Sequence, residues 1–196
     1  DKTFHSIEVF TDKLRYKIPH NLVESIKNKR VIDITRIAKY IIVSLDNNYS
    51  LLIHLGMTGN FLIRPKKKSS NDNKHVRLRF TMSDHSEIDY VDIRKFGFFK
   101  LIDPQKNELY KLKAKLGPDA LSNDFNTRYL QRSLRHRSIS IKSALLNQQI
   151  VGGVGNIYAS EALFRAKIPP TMESKKVAKN KIKTDDLISS IKFILS

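Results

Sequence analysis

Cysteine is absent from this 196-residue chain, so disulfide bridges, thiol nucleophiles and cysteine-ligated zinc are excluded from it. Acidic residues are scarce beside basic ones, 19 Asp+Glu against 36 Lys+Arg, which leaves a formal net charge of +17. Such an excess favours a polyanionic partner. Nucleic acid comes before anionic lipid, because no long amphipathic basic helix is evident. No apolar run approaches the roughly 18–20 residues that span a bilayer, and the opening "DKTFHSIEVF" lacks the charged start and apolar middle of a signal peptide. The expectation is an intracellular protein with no membrane partner. Glycine is also rare: Gly56, Gly59, Gly97, Gly117, Gly152, Gly153 and Gly155 are the full set, confined to four short segments. Glycine is favoured where the backbone needs a positive φ or where another backbone comes close, so those segments are the first places to look for function.

With 40% apolar residues the chain can build a real core, and its patterning divides in two. "VRLRFTM" (76–82) alternates strictly, as a half-buried antiparallel strand should, and "SDHS" turns it into a hairpin partner, "EIDYVDI". "AKYIIVSL" and "SLLIHLGM" flank the turn sequence "DNNY", and "HSIEVF" and "FGFFKLI" add further strands up to about residue 103. "RPKKKSSNDNK" (64–74) reads as a mobile basic loop. The stretch 103–125, with two prolines, one glycine and no strand pattern, reads as a connection. From Asn123 the pattern is helical. Asn123 or Asp124 can cap "FNTRYLQRSLRHR", Ser138 or Ser140 can cap "IKSALLNQQIV", and Gly152 with Gly153 supply a stop. Asn156 fits as the N-cap of "IYASEALFRAKI", and Thr184 or Asp185 as that of "TDDLISSIKFILS". The expected fold class is α+β, an antiparallel β-sandwich lobe at 1–108, a linker at 109–122 and a helical lobe at 123–196.

The glycine segments carry chemistry-bearing neighbours. In "VGGVGNIYASEALFRAKIPP" a glycine turn runs into a helix, and a helix N-terminus offers unpaired N–H donors and a favourable dipole to a phosphate. Gly153, Gly155 and Asn156 could then meet a phosphate, with Lys142 one helix earlier reaching the same oxygens. A plain helix-helix turn gives the same pattern. A dinucleotide fingerprint does not, because Tyr158 stands where a third glycine belongs and no strand precedes it. In "HLGMTG" (54–59) and "DIRKFG" (92–97), Met57, Arg94 and Phe96 adjoin glycines; apolar and Arg side chains of this kind can fill the space left by an extruded base. Taken one at a time, such residues more commonly end as core residues at strand ends, for Met57 and Phe96, and as a solvated charge, for Arg94.

In this order, "HLGMTG", "DIRKFG", "LGPDAL" and "IK" followed by "VGGVGNIYASEALFRAKIPP", together with "RIAKY" (36–40), closely resemble the formamidopyrimidine-DNA glycosylase family. The resemblance implies a base-excision repair enzyme with a β-sandwich lobe and a helix-two-turn-helix lobe, with bent DNA between them. It implies excision of oxidised purines such as 8-oxoguanine and formamidopyrimidines, followed by β,δ-elimination at the abasic site. It assigns Met57, Arg94 and Phe96 to filling the void in the duplex, with Arg94 towards the orphaned cytosine, and Lys39 to phosphate contact and proton donation in catalysis. It assigns His75, Arg137, Lys142, Gly153, Gly155 and Asn156 to DNA binding, and to Glu161 a structural role. The implied partner is double-stranded DNA carrying oxidised purines or abasic sites, bound by a monomer in the bacterial cytoplasm and nucleoid.

Two family features have no counterpart in Asp1–Ser196. The nucleophilic N-terminal proline and following glutamate do not match Asp1, the first proline being Pro19, and a chain without cysteine cannot form the four-cysteine zinc finger. The expectation is therefore a portion truncated at both ends, with no metal site or cofactor in the chain itself, that binds DNA without glycosylase activity. Its alternatives are a non-catalytic damaged-DNA-binding module and an rRNA-binding protein of ribosomal type.

Overall fold

The computed structural model describes residues 2–64 and 74–196. The loop read from 64–74 therefore lies, for 65–73, outside the described residues. The chain divides into two compact units, Asp1–Tyr110 and Lys111–Ser196.

The first unit is built from two four-stranded antiparallel sheets. One has the order β1 (Phe4–Val9), β6 (Val76–Met82), β7 (Glu87–Val91), β5 (Asn60–Arg64), and the other β2 (Val31–Ile37), β3 (Tyr40–Leu45), β4 (Ser50–His54), β8 (Phe98–Ile102). The alternation in 76–82 is realised residue for residue: Val76, Leu78, Phe80 and Met82 are buried, and the residues between them are half-exposed. This inner face packs with Leu51, Ile53, Tyr90 and Phe99 into one core. Each fully buried aliphatic side chain there contributes about 1.5–3 kcal/mol. A short helix α1 (Leu22–Ile26) adds two fully buried residues, Leu22 and Ile26. An apolar cleft of about 610 Å3 opens between the sheets along the edge strands β2 and β5, where Ile34 and Ile63 stand exposed.

The second unit is helical. Helix α2 (Glu108–Ala114) spans the division between the units and is followed by α3 (Thr127–Leu134), α4 (Ile141–Leu146), α5 (Asn156–Arg165), α6 (Ser174–Ala178) and α7 (Lys181–Leu195). Its core is mostly aliphatic around Phe125, with Leu130, Leu134, Ile141, Leu145, Val151, Val154 and Ala159 also fully buried. No described helix is long and apolar enough to cross a membrane.

Several expectations about helix ends are corrected. The N-cap of α3 is Asn126, whose side chain accepts from the Tyr129 N–H; it is not Asn123 or Asp124. The N-cap of α7 is Asn180, because Thr184 is buried with its hydroxyl on the Val177 carbonyl and Asp185 accepts a hydrogen bond from Thr127. Ser140 does cap α4, but that helix stops at Leu146, before the glycines. Gly155 is the N-cap of α5, so Asn156 is its first helical residue and its side chain is not consumed by capping. The stretch 103–125 is not featureless: it carries α2, and 117–120 are pinned to the glycine turn by Gly117 N–H on Gln148 O (2.8 Å), Gly152 N–H on Pro118 O (2.9 Å) and Ala120 N–H on Gly152 O (3.0 Å).

Candidate nucleic-acid interface

The antiparallel register decides which side chains of the sandwich meet. Tyr40 pairs with His54 and His54 with Phe98, while Val76 pairs with Val91 and Val91 with Asn60. The β2–β3 turn, the 55–59 loop, the start of β6 and the 92–97 loop therefore all sit at one end of this unit. Lys39, Met57, His75, Arg94 and Phe96, spread along the sequence, are brought to that end together. Arg15 joins them through its N–H on the Gly97 carbonyl at 3.1 Å, and the Lys95 ammonium reaches the Thr11 hydroxyl at 3.2 Å. Several cations thus gather at this end.

Met57 is 70% exposed and Phe96 43%. Exposed apolar side chains are common on this chain, and these two are set apart by lying on the same pair of loops as Arg94. The Arg94 guanidinium lies 4.5 Å from the centre of the Phe96 ring, already stacked as a cation–π pair. The loops beneath are held by Asp92, which is fully buried. Its carboxylate accepts from the Thr58 hydroxyl (2.6 Å), the Gly97 N–H (2.8 Å) and the Tyr90 hydroxyl (3.1 Å). Burial alone would raise the Asp92 pKa, but these hydrogen bonds outweigh it and hold the group ionised below the usual carboxylate value. Tyr90 is pushed upwards, first by burial and then by the Asp92 charge. The Asp92 N–H also donates to the His75 carbonyl (3.0 Å) and Arg77 Nε to the Asp92 carbonyl (2.9 Å), which fixes the start of β6 against the same loop.

Lys39 tops a two-residue hairpin turn whose other member, Ala38, adopts φ 51, a left-handed conformation costly for a residue with a Cβ. Its ammonium reaches solvent, yet neighbouring atoms strip enough hydration from it to lower its pKa. His54 accepts the Gly56 N–H on Nδ1 at 3.0 Å and stacks on Phe98 at 5.5 Å. Its pKa is lowered by burial first, then by the charges of Arg15 and Lys39. A neutral His54 is thereby kept as the acceptor that shapes the 55–59 turn.

In the helical unit the site is made of backbone. Gly153 adopts φ 96, and its N–H is already donated to Gln148 Oε1 at 2.9 Å, while Gln148 Nε2 donates to the Val154 carbonyl at 3.0 Å. Gly153 therefore shapes the turn without offering its own N–H. Among the described residues, nothing accepts the N–H groups of Asn156, Ile157 and Tyr158 at the start of α5, and the Asn156 side chain is exposed and unpartnered there. Lys142 lines a groove with Ser160, Phe164 and Pro170, close to α5, and has no ion-pair partner among the described residues. Unpaired N–H groups with an exposed amide side chain at a helix N-terminus can receive an anion, while the Lys142 groove runs along the later residues of α5, Ser160 and Phe164. Arg137 follows the end of α3, its Nε on the Ser133 carbonyl at 2.9 Å. Glu161 is exposed on α5 without a partner among the described residues.

Residues 1–99 match the formamidopyrimidine-DNA glycosylase N-terminal domain, and residues 116–196 the H2TH domain of the same glycosylase. The chain belongs to the formamidopyrimidine-DNA glycosylase family. It is 41% identical over 190 residues to the formamidopyrimidine-DNA glycosylase of Legionella pneumophila (strain Lens), covering 97% of this chain and 67% of that protein. It is 37% identical to that of Rickettsia bellii (strain OSU 85-389), covering 97% of this chain and 68% of the relative. The chain thus spans about two thirds of the length of these relatives. Among solved structures it is similar to Lactococcus lactis formamidopyrimidine-DNA glycosylase bound non-covalently to DNA containing an AP site, with a TM-score of 0.87 and 30% identity over 99% of this chain and 73% of that one. It is similar also to the same enzyme bound to a Fapy-dG-containing DNA, with a TM-score of 0.86.

The family's zinc finger finds no donor set here. The chain has no cysteine, and among the described residues no three His, Asp or Glu side chains gather as metal ligands. Four residues that shape the site, His54, Thr58, Asp92 and Gln148, were not singled out from the sequence. His54, Thr58 and Asp92 lie inside the glycine motifs "HLGMTG" and "DIRKFG", and Gln148 lies three residues before "VGGVGN", so the polar residues in and beside those motifs carry the signal.

Proposed function

We propose that the protein acts in base-excision repair, recognising oxidised purines and abasic sites in double-stranded DNA so that the damaged base is removed and the strand nicked. The observation that supports this most directly is the exposed trio Met57, Arg94 and Phe96 at the strongly basic end of the sandwich unit. When a nucleotide leaves the stack, the gap in the duplex is apolar on its faces and polar at the edge of the widowed base. Met57 and Phe96 suit the faces and Arg94, a fork of donors, suits the edge. The anion site of the helical unit takes the sequence-independent part, with the first-turn N–H groups of α5, Asn156 and Lys142 on phosphate oxygens. Lys39, its ammonium partly desolvated, is placed to hold a phosphate and hand over a proton. The protein works as a monomer on nucleoid DNA.

The chain's own residues thus bind, wedge and position. Fluorescence anisotropy with a duplex carrying an abasic analogue, the matching undamaged duplex and a structured RNA tests the assignment. The abasic duplex should bind most tightly, and its preference should survive added salt because the wedge is not electrostatic. Equal affinities for all three, falling together with salt, would reduce the protein to a generic polycation binder.

A further inference from the structure

Met57 and the pair Arg94–Phe96 come from two loops far apart in the sequence, so something must fix one loop against the other. A single hydroxyl group does this. Thr58 Oγ1 donates to Asp92 Oδ1 at 2.6 Å and accepts the backbone N–H of Arg94 at 3.1 Å, a contact between residues 36 positions apart. The remaining Asp92 oxygen closes the far end of the 92–97 loop through the Gly97 N–H at 2.8 Å. An ionised carboxylate only accepts, so it forces the one hydroxyl proton of Thr58 towards itself and leaves the Thr58 lone pairs for the Arg94 N–H. The hydroxyl therefore has one polarity, and Arg94 is anchored one residue from Met57. At the other side of the turn Gly56, at φ 69, lies so close to the Phe96 carbonyl carbon that an added Cβ would stand 2.5 Å from it.

We infer that Thr58, acting through Asp92, is a positioning residue for lesion discrimination: its hydroxyl sets the spacing between the Met57 and Arg94–Phe96 halves of the wedge. The inference rests on the DNA-repair reading above. It assigns Thr58 no contact with DNA and no part in general affinity. Removing the hydroxyl while keeping the side-chain shape should leave the phosphate clamp intact and blunt only the wedge.

The test is a pair of full-length variants, Thr58→Val and Thr58→Ser, titrated against an abasic-analogue duplex and the matching undamaged duplex, with thermal melting recorded on each. Thr58→Val should lower the ratio of lesion to undamaged affinity about tenfold, the size of a lost hydrogen-bond pair involving a charged group, with undamaged-duplex affinity unchanged. Thr58→Ser should restore the ratio. Any loss of folded protein scales both affinities equally and cancels in the ratio. A wild-type ratio in Thr58→Val, or a parallel loss on both duplexes, overturns the inference, as does a Thr58→Ser variant no better than valine. A wild-type protein without preference for the abasic duplex overturns the DNA-repair reading itself, a result read before any variant is compared.

Discussion

Two glycine turns, 55–59 in the sandwich unit and 152–156 in the helical unit, are each built on a left-handed glycine, Gly56 at φ 69 and Gly153 at φ 96. They present opposite things. The sandwich turn spends its backbone groups internally, Gly56 N–H on His54 and Gly59 N–H on Leu55, and displays side chains. The helical turn spends a side chain, Gln148, on holding itself together and displays backbone N–H groups. Side chains differ in shape and donor pattern, so they can tell one duplex from another; backbone N–H groups meet phosphates that are the same everywhere. One turn is suited to discrimination and the other to grip.

The comparison breaks most visibly at Gly97. A Cβ there would lie 1.8 Å from the Tyr90 hydroxyl and 2.8 Å from the His54 carbonyl, so Gly97→Ala should cost the sandwich unit about 3 kcal/mol, seen as a lowered melting temperature. Next in size is the division of labour itself. Arg94→Ala should lose about 1–3 kcal/mol of preference for lesion over undamaged duplex, whereas Asn156→Ala should weaken both duplexes alike, both read by competition titration. If Asn156→Ala changes the preference instead, the assignment of grip to the helical unit falls. Asn126→Ala, which removes a real cap, should lower helical-unit stability by about 1 kcal/mol in urea unfolding, while Asn156→Ala leaves stability unchanged because Gly155 is the cap.

The smallest effect concerns pH. His54 has a folded pKa below its ordinary 6.5, so below that value the unfolded chain binds the proton more readily. The stability tied to neutral His54 is present above pH 6.5 and is lost as the pH falls from there through the folded value. Urea midpoints of the sandwich unit above and below pH 6.5 should differ by less once His54 is replaced by Gln.

Strong local alternation made β6 legible before any coordinates, and the hairpin 40–54 followed from "DNNY" between two apolar runs. Strands β2 and β5 were not singled out in the same way. Both are edge strands, with Ile32, Ile34 and Ile63 exposed, so no buried face marks them. The cap errors share one cause. Several cap-forming residues stood near each helix start, and tertiary contacts chose among them, taking Thr184 into the core and Asp185 onto Thr127. Within the site, residue types and motif order identified the side chains that reach outward; His54, Thr58, Asp92 and Gln148, which hold them in place, were silent.

By itself the sequence determined the division into a β unit and a helical unit, the surplus of positive charge and which side chains were unusual for their neighbourhood, because these depend on composition and short-range periodicity. Only the tertiary structure decided that Met57 and Arg94 share one rim, that Asp92 lies beneath them, and that Asn156 is left free beside Gly155. The first two outcomes turn on hydrogen bonds between residues tens of positions apart, and strand register, not local propensity, sets which of them can form; the third turns on where α5 starts.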